Sequence, residues 1–114
     1  MSARVAGNAA RNGMDNIRAQ TMNLMAENLA LPQADIALVD PPRAGAKAVC
    51  EAIAGSGVTR LVYVSCHPAT LARDARILSQ AGFALRRAAA VDMFPHTGHI
   101  EAIALFERKL KARA

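Results

Sequence analysis

The apolar runs in this chain are short and sharply bounded, and they alternate with stretches where apolar residues return every three or four positions. Ile36-Ala37-Leu38-Val39 ends in Asp40 and two prolines, and Leu61-Val62-Tyr63-Val64 ends at Ser65-Cys66-His67-Pro68. Runs of this kind suit strands buried on both faces, as in a parallel sheet. A helical period follows each. Within residues 44–54, Val49, Cys50 and Ile53 share one face before Gly55-Ser56-Gly57 breaks the pattern. Pro68 stands where a first helical residue would. From there to Gln80, Leu71, Ala75 and Leu78 fall at i, i+4 and i+7, and Gly82 closes the segment. Residues 84–91 and 100–106 predict two further strands, and the short loop between them, with Pro95 and Gly98, leaves no room for a helix. They are expected to pair antiparallel. Upstream the pattern weakens. Residues 5–11 read as the tail of a helix ending at Asn12-Gly13, residues 17–24 as a short strand, and residues 25–33 as a loop closing on Pro32.

Strand, helix, strand, helix, strand, strand is the second half of a doubly wound α/β sheet, parallel with an antiparallel edge hairpin. At 114 residues one domain is the default. Hydrophobic residues make up 53% of the chain but fall in separated blocks, so no membrane span is expected. The first residues lack the apolar core of a secretory signal, which predicts a reducing cytoplasmic setting with Cys50 and Cys66 as free thiols. A net charge of +5 and a pI near 10.0 fit a phosphate-rich partner such as RNA. Aromatic content of 4% argues against a base-stacking platform, so RNA contact should be mainly electrostatic. The closing basic run from Arg108 to Arg113 reads as a solvated end.

In open α/β sheets ligands bind beyond the carboxyl ends of the strands, and the least ordinary residue clusters lie there. Cys66 directly precedes a helix opened by Pro68, where free amide groups and the helix dipole favour a thiolate nucleophile. A small buried hydrophobe is the alternative, and local context leaves both open. Cys50, on an apolar helical face, reads as core. The cysteines and histidines show no metal-ligand spacing, so no metal is expected. Asp40 is followed by two prolines that fix its surroundings. His96 and His99 could simply cap the last loop. Glu101, opening a strand of Ala, Ile and Leu, is unusual unless it faces a cleft. Gly55-Ser56-Gly57 follows a helix, not a strand, and reads as a turn instead of a phosphate loop.

Three segments together resemble one family. They are Asp40-Pro41-Pro42-Arg43-Ala44-Gly45, Tyr63-Val64-Ser65-Cys66-His67-Pro68-Ala69-Thr70-Leu71-Ala72-Arg73-Asp74 and Asp92-Met93-Phe94-Pro95-His96-Thr97-Gly98-His99-Ile100-Glu101. They are similar to the motifs of bacterial RNA 5-methyluridine methyltransferases, nearer the 23S ribosomal RNA branch than the transfer RNA branch. The likeness extends over nearly the whole chain. It implies the C-terminal half of a Rossmann-like sheet that uses S-adenosylmethionine, with Cys66 as nucleophile and Glu101 as general base. It further implies Asp40 beside both methyl donor and target base, Asn28 (next to Glu27) on the cofactor side, and Arg43, Pro68 and His99 towards the RNA substrate. His67 stands where the family has Asn, a position of which the chemistry asks nothing.

The chemistry implied is covalent. Uracil C5 is too poor a nucleophile to accept a methyl group until a thiolate adds at C6, and the C5 proton must then leave before the thiolate does. The base must be unstacked for sulfur to reach it. Relatives carry upstream a glycine-rich cofactor turn, an RNA-binding domain and, in many, an iron–sulfur cysteine set, none of which is recognisable in this sequence. Residues 1–114 are therefore expected to be a partial catalytic domain with an incomplete cofactor site, inactive alone, whose exposed sheet edge invites dimerisation. Two rivals remain: an amino-group methyltransferase using Asp-Pro-Pro, and a non-catalytic RNA-binding module.

Overall fold

The computed structural model describes residues 2–94 and 99–109. Its elements are α1 (Ser2–Arg11), β1 (Ile36–Val39), α2 (Lys47–Ala54), β2 (Arg60–Ser65), α3 (Pro68–Gln80), β3 (Phe83–Phe94) and β4 (His99–Arg108). The four strands form a single sheet in the order β1-β2-β4-β3. β1 and β2 are parallel, and β4 runs antiparallel to both β2 and β3. The α/β class and the edge hairpin agree with the sequence pattern. Within the hairpin, the returning strand β4 lies inward and β3 takes the edge.

Local chemistry explains the element bounds. α1 stops at Arg11 because Gly13 takes the left-handed conformation at φ 68°. α3 starts at Pro68, whose missing N–H is no loss in a first turn. α2 starts later than the apolar period predicts, since Gly45 at φ 85° donates its N–H to the Pro42 carbonyl at 2.9 Å in a tight turn. The short strand expected at residues 17–24 is not formed. Its apolar positions switch parity between Ala19 and Met22, Ile17 and Leu24 stay exposed, and among the described residues no ladder takes it up.

β2 alternates between two environments. Leu61, Tyr63 and Ser65 are buried and face the side on which α2 and α3 pack. Leu61 and Tyr63 lie opposite Phe106 and Ala104 of β4, and this patch meets Val49, Cys50, Ile53, Leu78 and Phe83 in one core. Each large apolar side chain buried there contributes about 1.5–3 kcal/mol. The opposite parity carries Ile36, Leu38, Val62, Val64 and Ile103, and no described helix covers it. Leu38 is 72% exposed and Ile36 61%.

Arg108, the last residue of β4, does not behave as the start of a solvated tail. Its guanidinium donates to the carbonyls of Val58, Ile53, Ser56 and Ala81 at 3.0–3.4 Å and lies 4.4 Å from the Phe83 ring centroid. It thereby closes the ends of α2 and α3 against β3. Arg108→Ala is expected to lower stability by about 2–3 kcal/mol, read as a lower urea midpoint. Arg108→Lys should recover little, because a point-like ammonium cannot span these carbonyls.

Candidate functional site

Cys66 lies one residue beyond β2, in a bend held by its neighbours. The Ser65 hydroxyl accepts from the His67 N–H at 3.1 Å and donates to the His67 carbonyl at 2.9 Å. These two bonds clasp the backbone around residue 66 and leave Cys66 exposed. His67 is the N-cap of α3: its Nδ1 accepts from the Thr70 N–H at 3.4 Å, while the Thr70 hydroxyl donates to the His67 carbonyl at 3.1 Å. The position thus has a job, an acceptor at a helix start, which Asn also performs well. His67→Asn is expected to leave the melting temperature nearly unchanged, whereas His67→Ala should cost about 1 kcal/mol.

Glu101 sits near the start of β4, opposite Val91 and half-buried. The β2–β4 ladder pairs Val64 with Ile103 and ends with Ser65 opposite Ala102. The next residues along the two strands are Cys66 and Glu101. Cys66 itself stands in the bend beyond the ladder, so the register brings the two residues to the same end of the sheet. Asp40, exposed and one residue past β1, follows the same parity as Ile36 and Leu38. All three stand at the end of the sheet where β1 and β2 finish.

The other predicted site residues are less concentrated. Asp40 borders a largely apolar hollow of about 520 Å³ with Leu38, Val39, Pro41 and Pro42. Asn28, in the left-handed region at φ 55°, borders a separate hollow of about 450 Å³ with Glu27, Lys47 and Arg73. The two hollows share Met25 and Gly45, and neither is lined by Cys66 or Glu101. Arg43 is exposed in the loop after β1, and Pro68 occupies the first turn of α3. The backbone of His99 pairs with Phe94 at the start of β4, and its side chain, like all of His96, lies outside the described residues. Cys50 is fully buried, and burial, reinforced by Asp74, pushes its thiol up to about 12. It is core, as its helical position predicts. Among the described residues no group of His, Cys, Asp and Glu could hold a metal ion.

One cluster went unread in the sequence. Asp74 of α3 is fully buried and accepts from the Ala46 N–H at 2.7 Å and from the Tyr63 hydroxyl. Arg73 pairs with it at 3.0 Å and also donates to the Ala44 carbonyl at 3.0 Å. Burial, then the bond to Asp74, raises the Tyr63 phenol and keeps it a donor. Gly45 lets the loop come this close, since a Cβ there would stand 2.5 Å from Arg73 Nη2 and 2.9 Å from Asp74 Oδ2. The signal was available: Asp74 falls at i+3 from Leu71 and i−4 from Leu78, on the apolar stripe of α3.

Comparison with known proteins gives concordant results. The family model described as tRNA (uracil-5-)-methyltransferase matches residues 2–109. The 23S rRNA (uracil(1939)-C(5))-methyltransferase RlmD of Chromohalobacter salexigens is 48% identical over 108 residues, covering 95% of this chain and 23% of that protein. The protein of the same name from Aeromonas hydrophila is 46% identical, covering 96% of this chain and 26% of its own length. This chain thus spans about a quarter of the length of these curated relatives. Among solved structures, the Pyrococcus abyssi tRNA (uracil-54, C5)-methyltransferase in complex with S-adenosyl-L-homocysteine superposes with a TM-score of 0.77 at 30% identity, over 92% of this chain and 26% of that one. A Thermoplasma acidophilum structure at 13% identity and a TM-score of 0.64 shares the fold. Sequence motifs, sheet order and relatives converge: the chain belongs to the tRNA (uracil-5-)-methyltransferase family.

Proposed function

We propose that this chain is the C-terminal part of the catalytic domain of an enzyme that methylates C5 of a uridine in RNA. The donor is S-adenosylmethionine, the substrate 23S ribosomal RNA, and the setting the cytoplasm. The observation that supports the reading is the β2–β4 register, whose last pair, Ser65 and Ala102, is followed by Cys66 on one strand and preceded by Glu101 on the other, at the end of the sheet where Asp40 also stands. S-adenosylmethionine supplies an electrophilic methyl group. On the donor side this chain offers Asp40, bordering a hollow of about 520 Å³, a size within the range of small-molecule sites. Asn28, across Gly45 and Met25 from it, is the second contact. Arg43, Pro68 and His99 flank the substrate side.

In this reading the Cys66 thiolate adds to C6 of the uracil and makes C5 nucleophilic. A donor held beside Asp40 would supply the methyl group to the C5 so activated. Glu101 takes the C5 proton, the ring double bond re-forms, and the C6–Sγ bond breaks to return the thiolate. A clasped bend before an N-capped helix suits this task, because it holds sulfur outside the sheet on a fixed backbone. The target nucleotide is presented unstacked.

The test is a chimera in which this chain replaces the matching stretch of the Chromohalobacter salexigens relative. With RNA containing 5-fluorouridine in place of uridine, C5 carries no removable proton and a covalent protein–RNA complex should persist. Absence of that complex in an otherwise folded chimera rejects the thiolate mechanism. Methylation of exocyclic amino groups would favour the reading based on Asp-Pro-Pro instead. RNA binding with neither reaction would leave a non-catalytic module. This chain alone is expected to transfer no methyl group.

The uncovered face with Ile36 and Leu38, beside the open outer edge of β1, is a surface that unpaired proteins rarely leave to solvent. The proposal therefore includes self-association of the isolated chain. Light scattering after size-exclusion chromatography should give a dimer or larger species at micromolar concentration, and a well-behaved monomer would reject that part.

A further inference from the structure

We propose that Asp74 is a positioning residue that fixes the Cys66 bend relative to the Asp40–Gly45 loop. The inference rests on the reading of Cys66 and Asp40 as parts of one site. The Asp74 carboxylate links two of the pieces of chain that carry that site and itself rides on a third. Its Oδ2 accepts from the Ala46 N–H at 2.7 Å, at the end of the loop that follows Asp40. The same oxygen accepts from the hydroxyl of Tyr63, which precedes Cys66 on β2. Asp74 itself rides on α3, the helix that His67 caps directly after Cys66. Its other oxygen takes Arg73 Nε at 3.1 Å, and Arg73 passes the connection on to the Ala44 carbonyl.

The choice of residue favours positioning over simple stability. A fully buried carboxylate with an ion-pair partner is a weak source of stability, and apolar packing often serves a core as well or better. What apolar packing lacks is direction. A carboxylate with two donors on one oxygen and a guanidinium on the other sets the distance and angle between loop, strand and helix. Covalent attack at C6 with methyl transfer at the adjacent carbon needs both loops placed to a fraction of an ångström. Gly45 agrees with this. Its φ of 85° and the 2.5 Å and 2.9 Å approaches of Arg73 and Asp74 to a would-be Cβ show the loop drawn tightly onto the pair.

The experiment uses Tyr63→Phe, which removes one oxygen, and Asp74→Asn, which retains shape but offers an amide N–H either to Arg73 or to the Ala46 and Tyr63 donors. Both are made in the chimera and mixed with 5-fluorouridine RNA under single-turnover conditions. The adduct-forming rate constant at saturating RNA is expected to fall about tenfold for Tyr63→Phe and about a hundredfold for Asp74→Asn, with RNA affinity within about twofold of the parent. Partial unfolding would instead lower the fraction of chains trapped and leave the rate constant alone. Cys50 reports on folding, because in a folded variant it stays closed to iodoacetamide. Parental rate constants in both folded variants would overturn the positioning role while leaving the function intact. No adduct in the parent chimera would overturn the function and the positioning role together.

Discussion

Cys66→Ala in the chimera is expected to abolish both the fluorouridine adduct and RNA methylation, by roughly a thousandfold or more, since in the proposed mechanism Cys66 alone supplies the attacking sulfur. Glu101→Gln should do something different. Addition at C6 and methyl transfer need no carboxylate, so the reaction should advance to the methylated adduct and stop there, with the C5 proton unable to leave. Turnover is expected to fall by about 10²–10⁴-fold while ordinary uridine RNA becomes covalently held, a species the parent protein should not accumulate. Denaturing gels with labelled RNA separate the two behaviours: no complex for Cys66→Ala, a lasting complex without any fluorine for Glu101→Gln. The double variant should match Cys66→Ala alone, because the proton step cannot matter before sulfur has added. Glu101→Gln turning over at the parental rate would remove residue 101 from the mechanism and point to another base.

Much of the proposed site's setting was readable because its determinants are local. Pro68 after a buried apolar run announces a helix start, and that alone places Cys66 at the tip of a strand. The bounds of α3 follow from one proline and one apolar stripe. Glu101 was readable as an oddity, an acid among aliphatic residues, but its place at the same end of the sheet as Cys66 depends on pairing between strands some forty residues apart. The same limit hid the insertion of β4 between β2 and β3. A hairpin pairs its own strands by local chemistry, whereas docking its second strand on β2 depends on the match of Leu61 and Tyr63 to Phe106 and Ala104. Arg108 was misread as the start of a solvated tail because its acceptors lie 27 to 55 residues back along the chain. Residues 17–24 have a loose alternation, yet a strand needs a partner as well as a pattern. Asp74 is different in kind, for its place on the apolar stripe was visible and only its partners were not.

Those partners make Asp74→Ala the substitution with the largest expected effect on stability. Removing the carboxylate leaves the Tyr63 hydroxyl and the Ala46 N–H as buried donors with nothing to accept them, each costing about 1–3 kcal/mol. It also takes the charge partner from Arg73, although that side chain is 43% exposed and water can replace much of what it loses. The combined loss should be about 3–5 kcal/mol, comparable to that of breaking a buried pair from one side. Against a total stability of about 5–15 kcal/mol for a domain, that removes from about a fifth to all of it. With a urea dependence of about 1–3 kcal/mol per molar, the midpoint should drop by about 2 M. Packing loss alone would give a smaller drop, and a second variant separates the causes. Adding Tyr63→Phe to Asp74→Ala deletes one of the stranded donors, so the double variant is expected to regain about 1 kcal/mol over Asp74→Ala alone, although Tyr63→Phe by itself is destabilising. A double variant weaker than Asp74→Ala would mean that the hydroxyl finds another acceptor, and that the carboxylate is not what holds Tyr63 to α3.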